Sequence, residues 1–495
     1  MKRKLYTNLS VSVLSNIIIL VLSLVVPRLF LLQYGSDTNG LLTTLSQIFS
    51  YIALLEAGIS KATLVQLYAP LKSGNKEQIS EIMSISRCYY RKVAVLYATL
   101  VVILAFIVPI IIDSELKYWT IFLCVIFEGA AGVINFYFFS TQTILLNADG
   151  KGYVNELTNL AGKTASYVVK IVLALTGVSI VLIQFGAFAI SLFKMLFYSM
   201  YMKKQYPWLN YAIQINSKQL PDRNAFVISE LAWTLFSSTD AIVLSVFCST
   251  KTASVYSVNN MAFIAINSLV SAAYFGIRYE LGKAYQEGIS AYRRVHDLFN
   301  AVFMGIITAL MEVSVLLLDS FISLYTDGIQ DINYSYFWLP VLFCLVQMLS
   351  WSRYVSGNLM GIAGYAKKVS QISLLEAVIN VVLSIALVNI WGIYGVVFAT
   401  VVALPIKVIY TNYVSDKIIM KRAGFSTLAK LGVDFIILFV IVCVRWKFPI
   451  ILSSWKLFFI WGIGLTMGLS ALMIGIHILI YPEFRKFIIP KVSAL

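Results

Sequence analysis

Fourteen apolar stretches, separated mostly by short loops, leave this 495-residue chain few ways to fold. They run over roughly 9–32, 40–69, 91–112, 119–145, 155–176, 178–201, 225–249, 254–277, 298–322, 336–362, 368–390, 391–414, 427–446 and 455–481. A bilayer core demands about 20 consecutive apolar residues per helix, with every backbone polar group bonded inside its own helix. Sixty per cent of the residues are hydrophobic and 12% charged, more apolar surface than a soluble protein of this length needs. The longest polar connections, 70–90, 202–224 and 278–297, are too short to hold a core of their own. The pattern predicts an all-α integral membrane protein with about fourteen transmembrane helices.

The basic residues orient it. The chain starts Met1-Lys2-Arg3-Lys4 and runs into an apolar segment without a small-residue cleavage site, so the segment reads as a retained first helix. With that end inside, the cytoplasmic segments hold 26 Lys or Arg and the outer segments five. Such a bias over short loops is the positive-inside signal and places both termini in the cytoplasm. The net charge of +15 is then mostly topology, with some attraction to anionic membrane lipids, and no nucleic-acid footprint.

The chain also repeats itself at a shift that stays constant to within one position. The segment from Tyr34 lies over that from Phe247, Gly74 over Gly288, Gly150 over Gly364 and Lys194 over Lys407. Two copies of a six-helix unit start on the same side of the membrane, so the repeats are parallel. The expected division is an N-terminal lobe over 1–210, a C-terminal lobe over 211–414, and two additional helices over 415–495.

Seven basic residues lie four or more positions in from the ends of the apolar spans: Arg28, Lys61, Lys163, Lys170, Lys194, Arg353 and Lys407. Seven acids join them: Glu56, Glu128, Glu230, Asp240, Glu312, Glu376 and Asp434. Each costs at least about 2.5–3.5 kcal/mol at mid-bilayer unless it meets water or a partner. Those near helix ends, Arg28, Lys61, Lys194 and Lys407, have headgroups within reach of a long side chain. Lys163 and Lys170 share one helix face, and Lys170 and Arg353 lie deep. One reading lines a water-filled cavity with these cations, which selects for an anion; the other makes them snorkels and paired struts. Glu56 and Asp240, on helices of different lobes by this division, are candidates to bind a coupling ion or to pair with nearby cations.

Little supports catalysis. Gly162-Lys163-Thr164 ends like a phosphate-binding loop, but the upstream glycine is Leu157 and the segment is an apolar helix. Two histidines and five scattered cysteines offer no catalytic triad and no metal-ligand spacing. No catalytic residue, metal site or cofactor is expected.

The chain resembles the Wzx-type polysaccharide repeat-unit flippases, the polysaccharide transporter branch of the MOP exporter superfamily. The resemblance covers the whole length. It rests on Pro27-Arg28-Leu29 followed by Tyr34-Gly35 and Gly40, and on Glu56-Ala57-Gly58. The turn Asn147-Ala148-Asp149-Gly150-Lys151, its repeat at Gly361-Ile362-Ala363-Gly364, and Asp240 sixteen residues before Tyr256 add to it. The second copy departs from the hairpin pattern, with Ala253 at the glycine position.

What the resemblance implies is two lobes around a cation-lined cavity in the bacterial cytoplasmic membrane. Alternating access would carry an undecaprenyl-pyrophosphate-linked oligosaccharide to the outer leaflet for O-antigen, capsule or exopolysaccharide assembly. Arg28 and the deep Lys and Arg side chains would hold the pyrophosphate. A polysaccharide polymerase and a chain-length regulator would be partners. Three alternatives stay open: a multidrug or cation antiporter, a peptidoglycan-precursor flippase, and a non-transporting component of a polysaccharide assembly complex.

Overall fold

Gly35 sets the first turn. The computed structural model describes residues 2–56, 59–211, 231 and 234–488. Its first helix, α1 (Lys2–Ala53), is two helices joined at Gly35, where φ is 78° and ψ 175°, a backbone region left almost wholly to glycine. Gly40 follows for a different reason: a Cβ there would sit 1.7 Å from the Thr250 carbonyl oxygen. The chain around Thr250 therefore lies directly on the α1 backbone. Asn39 donates to Ser254 Oγ at 2.8 Å, Thr44 and Ser245 share a hydroxyl bond of 2.5 Å, and Asp37 accepts from Ser114 Oγ at 2.7 Å and from the Thr250 hydroxyl.

The helices continue as α2 (Ile59–Ser73), α3 (Lys76–Ile111) and α4 (Tyr118–Ile134), then a π-helical turn (Asn135–Phe139) leading into α5 (Ser140–Ala148). Asn75 caps α3 by accepting from Gln78 N at 3.0 Å. Next come α6 (Gly152–Leu175), α7 (Ile180–Gln205), α8 (Asp240–Phe247) and α9 (Thr250–Glu287). The remainder is α10 (Ile289–Tyr325), α11 (Leu339–Trp351), α12 (Tyr354–Ile362), α13 (Ala366–Trp391), α14 (Ile393–Tyr413) with a π-helical end (Val414–Ile419), α15 (Ser426–Lys447), α16 (Trp455–Ile480) and α17 (Pro482–Ile488). Among the described residues there is no strand.

Nine helices among the described residues are long and apolar enough to cross a membrane. Several expected spans fall short for visible reasons. Residues 336–362 break at Ser352–Arg353 into α11 and α12. Helix α6 carries Glu156, Lys163 and Lys170, which lower its hydropathy, and the kink at Gly35 merges the first hairpin into one element. The first part of the seventh span, with Glu230, lies outside the described residues, as do Ala57 and Gly58. Ile110, Trp446, Ile451 and Leu479 are each at least three-quarters exposed, as side chains facing hydrocarbon would be.

The chain divides into two compact units, Met1–Ser254 and Val255–Leu495. In the first, a core around Leu41, Leu45, Met83, Val125 and Leu145 joins α1 to α5. In the second, α10 is the central helix: 78% of its most apolar window is buried, against half or less in every other candidate span. One end of α10 is fastened by Asp297, which takes Arg422 at 2.8 Å and Lys430 at 2.6 Å. The other is fastened by Asp319 to Arg445 at 2.7 Å. Arg445, counted in sequence as a loop cation, is 1% exposed.

The internal repeat has a backbone counterpart. Positive φ recurs at Gly74 and Gly288, at Gly150 and Gly364, and at Gly177 and Gly392, each pair holding the shift of the sequence repeat to within a position or two. Each left-handed glycine ends one helix and lets the next reverse direction.

Candidate functional site

In the first unit, cations gather where α6 meets α7. Lys163 and Lys170 are seven apart on α6 and so share a face. A Cβ at Gly162 would make only ordinary contact with Lys194 Cδ, at 3.6 Å, so α7 packs there at normal spacing. From α7, Lys194 Nζ donates to Asn159 Oδ1 at 2.7 Å and sits 4.9 Å from the Phe139 ring centre and 5.9 Å from that of Tyr198. Lys163 lies within electrostatic range of Lys194. Among the described residues no carboxylate forms an ion pair with either. A neutral amide and two aromatic faces therefore hold a cation beside a second cation, an arrangement that attracts an anion.

A polar ladder leads away from this pair. Tyr198 donates to Asn155 Oδ1 at 3.0 Å, and Asn155 donates to Asn147 Oδ1 at 2.7 Å. At the turn after α5, Asp149 binds Lys151 at 2.7 Å and accepts from the Tyr206 hydroxyl at 2.7 Å. The resemblance motif around Gly150 thus closes one end of the ladder.

The other expected residues of this unit lie elsewhere. Lys170 shares the surroundings of Cys124 with Glu128, whose carboxylate accepts from Gln184 at 3.4 Å. Arg28 is half-buried just after Pro27, and Lys61 is exposed near the start of α2. Glu56 accepts from the Ser140 hydroxyl at 3.4 Å. Asp240 is 8% exposed at the start of α8, where Ala241 N donates to Gln47 at 3.0 Å and the Tyr51 hydroxyl bonds Thr239. Glu56 and Asp240, expected on different lobes, both fall in the compact unit that ends at Ser254.

In the second unit Arg353 and Lys407 meet on one acid. Arg353, at the break between α11 and α12, is ion-paired to Glu376 of α13, and Lys407 of α14 lies 3.8 Å from the same carboxylate. Arg353 is 6% and Glu376 2% exposed. Trp351 and Tyr354, on either side of Arg353 in the chain, pack in a tilted pair with ring centres 4.3 Å apart.

One cluster went unrecognised as a site in the sequence. Ser84, Arg87, Cys88, Arg91, Lys92, Val95, Leu96 and Thr99 line a groove of about 620 Å³ on one face of α3. Tyr211 closes it, with Arg87 4.2 Å from its ring centre, and Arg91 lies 5.3 Å from that of Tyr137. The signal was there: the spacing follows a helix face, with cations at one end and apolar side chains at the other, the form of a surface for a charged lipid headgroup and its chain. In the sequence these cations served only as topology.

No family model matches the sequence, and no curated protein does. Solved structures do. A multidrug resistance MATE family transporter of the MOP superfamily, in an inward-facing conformation, aligns with a TM-score of 0.65 at 14% identity, covering 81% of this chain and 97% of that one. The lipid II flippase MurJ, in an inward closed conformation, aligns at 0.66 and 14%, covering 93% and 98%. A MOP superfamily transporter from Pyrococcus furiosus aligns at 0.54 and 12%, covering 84% and 96%. At such identities the likeness is one of fold: this is an all-α, multi-pass membrane protein with the fold of the MOP superfamily transporters.

Proposed function

We propose that this chain is a flippase for an anionic lipid-linked oligosaccharide. By this reading it moves an undecaprenyl-pyrophosphate-linked repeat unit from the inner to the outer leaflet of the bacterial cytoplasmic membrane by alternating access. The observation that carries it is the Lys163–Lys194 pair of intramembrane cations, Lys194 held by Asn159 and aromatic rings and neither lysine ion-paired to a carboxylate among the described residues. A cation exporter would be expected to reverse that polarity. Arg28, Lys61 and Lys170 join as further contacts for phosphate or acidic sugars, while Arg353 and Lys407 serve as a half-neutralised second station. Likeness to a lipid II flippase supports the class of cargo, and both termini belong in the cytoplasm on the charge bias.

The energetics need no nucleotide. A pyrophosphate carries about two negative charges, and moving each outward across about 100 mV releases about 2.3 kcal/mol. The cations lower the barrier. Glu56 and Asp240 are the groups proposed to take a returning ion, and a polymerase and a chain-length regulator would act on the product outside.

The test is deletion of the gene followed by analysis of lipid-linked intermediates and their sidedness. Repeat units should accumulate on the inner leaflet. Purified protein in proteoliposomes should flip a labelled lipid-linked oligosaccharide faster when the receiving side is positive. Export of organic cations without any flipping would replace this reading with a multidrug one.

A further inference from the structure

One stripe of α10 does not belong to the cation sites. Ala301, Gly305, Thr308 and Glu312 follow at spacings of four, three and four, so they share a helix face. His477 of α16 lies on that face because Gly305 has no side chain: a Cβ there would be 3.1 Å from the ring. The imidazole Nδ1 is 2.6 Å from the Ala301 carbonyl oxygen, and Nε2 is 2.8 Å from Asp434 Oδ1 on α15. Glu312 and Asp434 are 0% exposed and His477 1%. Among the described residues neither oxygen of Glu312 has a hydrogen-bond partner; nor does Asp434 Oδ2 or the Thr308 hydroxyl oxygen.

The proton count follows from the bonding. A carbonyl only accepts, so Nδ1 carries a hydrogen. The short contact from Nε2 to Asp434 then holds one more proton, on the carboxyl or on the ring, and with either placement the pair is neutral overall. Among the described residues Glu312 therefore meets no compensating cation. An ionised carboxylate, buried and unpaired, is strongly disfavoured, and its protonated form is the one this site accommodates.

The groups facing Glu312 from neighbouring helices are Asp434 on α15, which bonds His477 of α16 through Oδ1, and Cys344 on α11. The other charges of α10, Asp297 and Asp319, are held at its ends by Arg422 and Lys430 and by Arg445. Among the described residues no group of three His, Cys, Asp or Glu side chains is placed to hold a metal ion. A proton needs one oxygen.

We infer that Glu312, beside the Asp434–His477 pair, is an exchangeable proton-binding site between the central helix of the second unit and the two C-terminal helices. It is separate from Glu56 and Asp240. The binding of a proton there stands apart from the flippase reading; its exchange during the cycle rests on the chain being a transporter.

The test begins with infrared spectra of the full chain in lipid nanodiscs. The wild type should show a protonated-carboxyl C=O stretch at neutral pH, shifted by deuterium, that Glu312→Gln removes. Glu312→Gln nearly preserves shape, so it reports even where Asp434→Asn does not fold. Identical neutral-pH spectra for wild type and Glu312→Gln would overturn the site. Loss of the band on replacing potassium by sodium would overturn it as well, by making the ligand a metal ion. In proteoliposomes the response of transport to an imposed pH gradient should vanish in Glu312→Gln. An unchanged response would show the proton to be fixed, and would end the claim of exchange while leaving the flippase reading untouched.

Discussion

Lys194 and Lys407 occupy equivalent places in the two copies and meet opposite surroundings. The shift that superposes them also lays Lys163 over Glu376, and a shift one position longer lays Phe139 over Arg353. In the first unit Lys194 rests over the Phe139 ring with Lys163 nearby and Asn159 as its acceptor. In the second, Glu376 stands where Lys163 does, binds Arg353 and draws Lys407 to 3.8 Å. One inversion of sign separates a site that still seeks an anion from one that already contains its own. Three side chains in each repeat of the sequence set this difference.

The largest effect should come from removing the internal anion. Glu376→Gln leaves Arg353 buried without its carboxylate, and breaking a buried pair from one side costs about 3–5 kcal/mol. The variant should unfold at lower temperature in detergent and reach the membrane in reduced amount. A thermal midpoint equal to that of the wild type would mean that the cluster is solvated and that the two units differ less than their contacts indicate.

Next comes the reverse graft. Lys163→Glu gives the first unit the charge pattern of the second, supplying Lys194 with a carboxylate. Two contacts to phosphate would be lost or neutralised, each worth about 1.5–3 kcal/mol, so flipping should fall about 100-fold or more at normal protein level. Sidedness of lipid-linked intermediates in cells is the readout. Flipping at the wild-type rate would remove the α6–α7 cations from the mechanism. Lys194→Gln should be milder, about tenfold to 100-fold for the loss of one charge-assisted contact, because Lys163 remains.

The helices themselves were legible in sequence because a hydrocarbon solvent leaves so few alternatives. The reversals at Gly177 and Gly392 were legible too, each marked by a glycine between apolar runs. The break at Ser352–Arg353 and the π-helical turn at Asn135–Phe139 were not. Neither interrupts the apolar pattern with a proline or glycine of its own, so each pair of short helices reads as one span. Pairing among the charges was hidden for another reason. Arg353, Glu376 and Lys407 stand on three different elements, and only helix rotation within the unit decides that they converge. Aligning the copies at Lys163 and Glu376 would have exposed the sign inversion; the glycine anchors alone did not. Glu312 and Asp434 were visible as costly charges, but their meeting needed the packing of α15 and α16 on α10.

The smallest effect refines the comparison at the acceptor. The shift that lays Lys163 over Glu376 lays Asn159 over Ile372, one position from Ser373, and the Ser373 hydroxyl bonds the Val369 carbonyl of its own helix at 2.7 Å, leaving Lys407 to Glu376. Asn159→Ser should behave likewise: a serine on a helix turns back to the carbonyl four residues before it. Lys194 would then lose its amide acceptor while Lys163, Phe139 and Tyr198 stay. A hydrogen bond of this kind contributes about 1 kcal/mol, so flipping should slow roughly fivefold, with the apparent affinity for substrate changed more than the maximal rate, since the ammonium is kept but less well placed. A drop as large as that of Lys194→Gln would mean that Asn159 touches the substrate itself. An unchanged rate would mean that the aromatic faces alone position Lys194, and the difference between the copies would then reduce to the charge at 163 and 376.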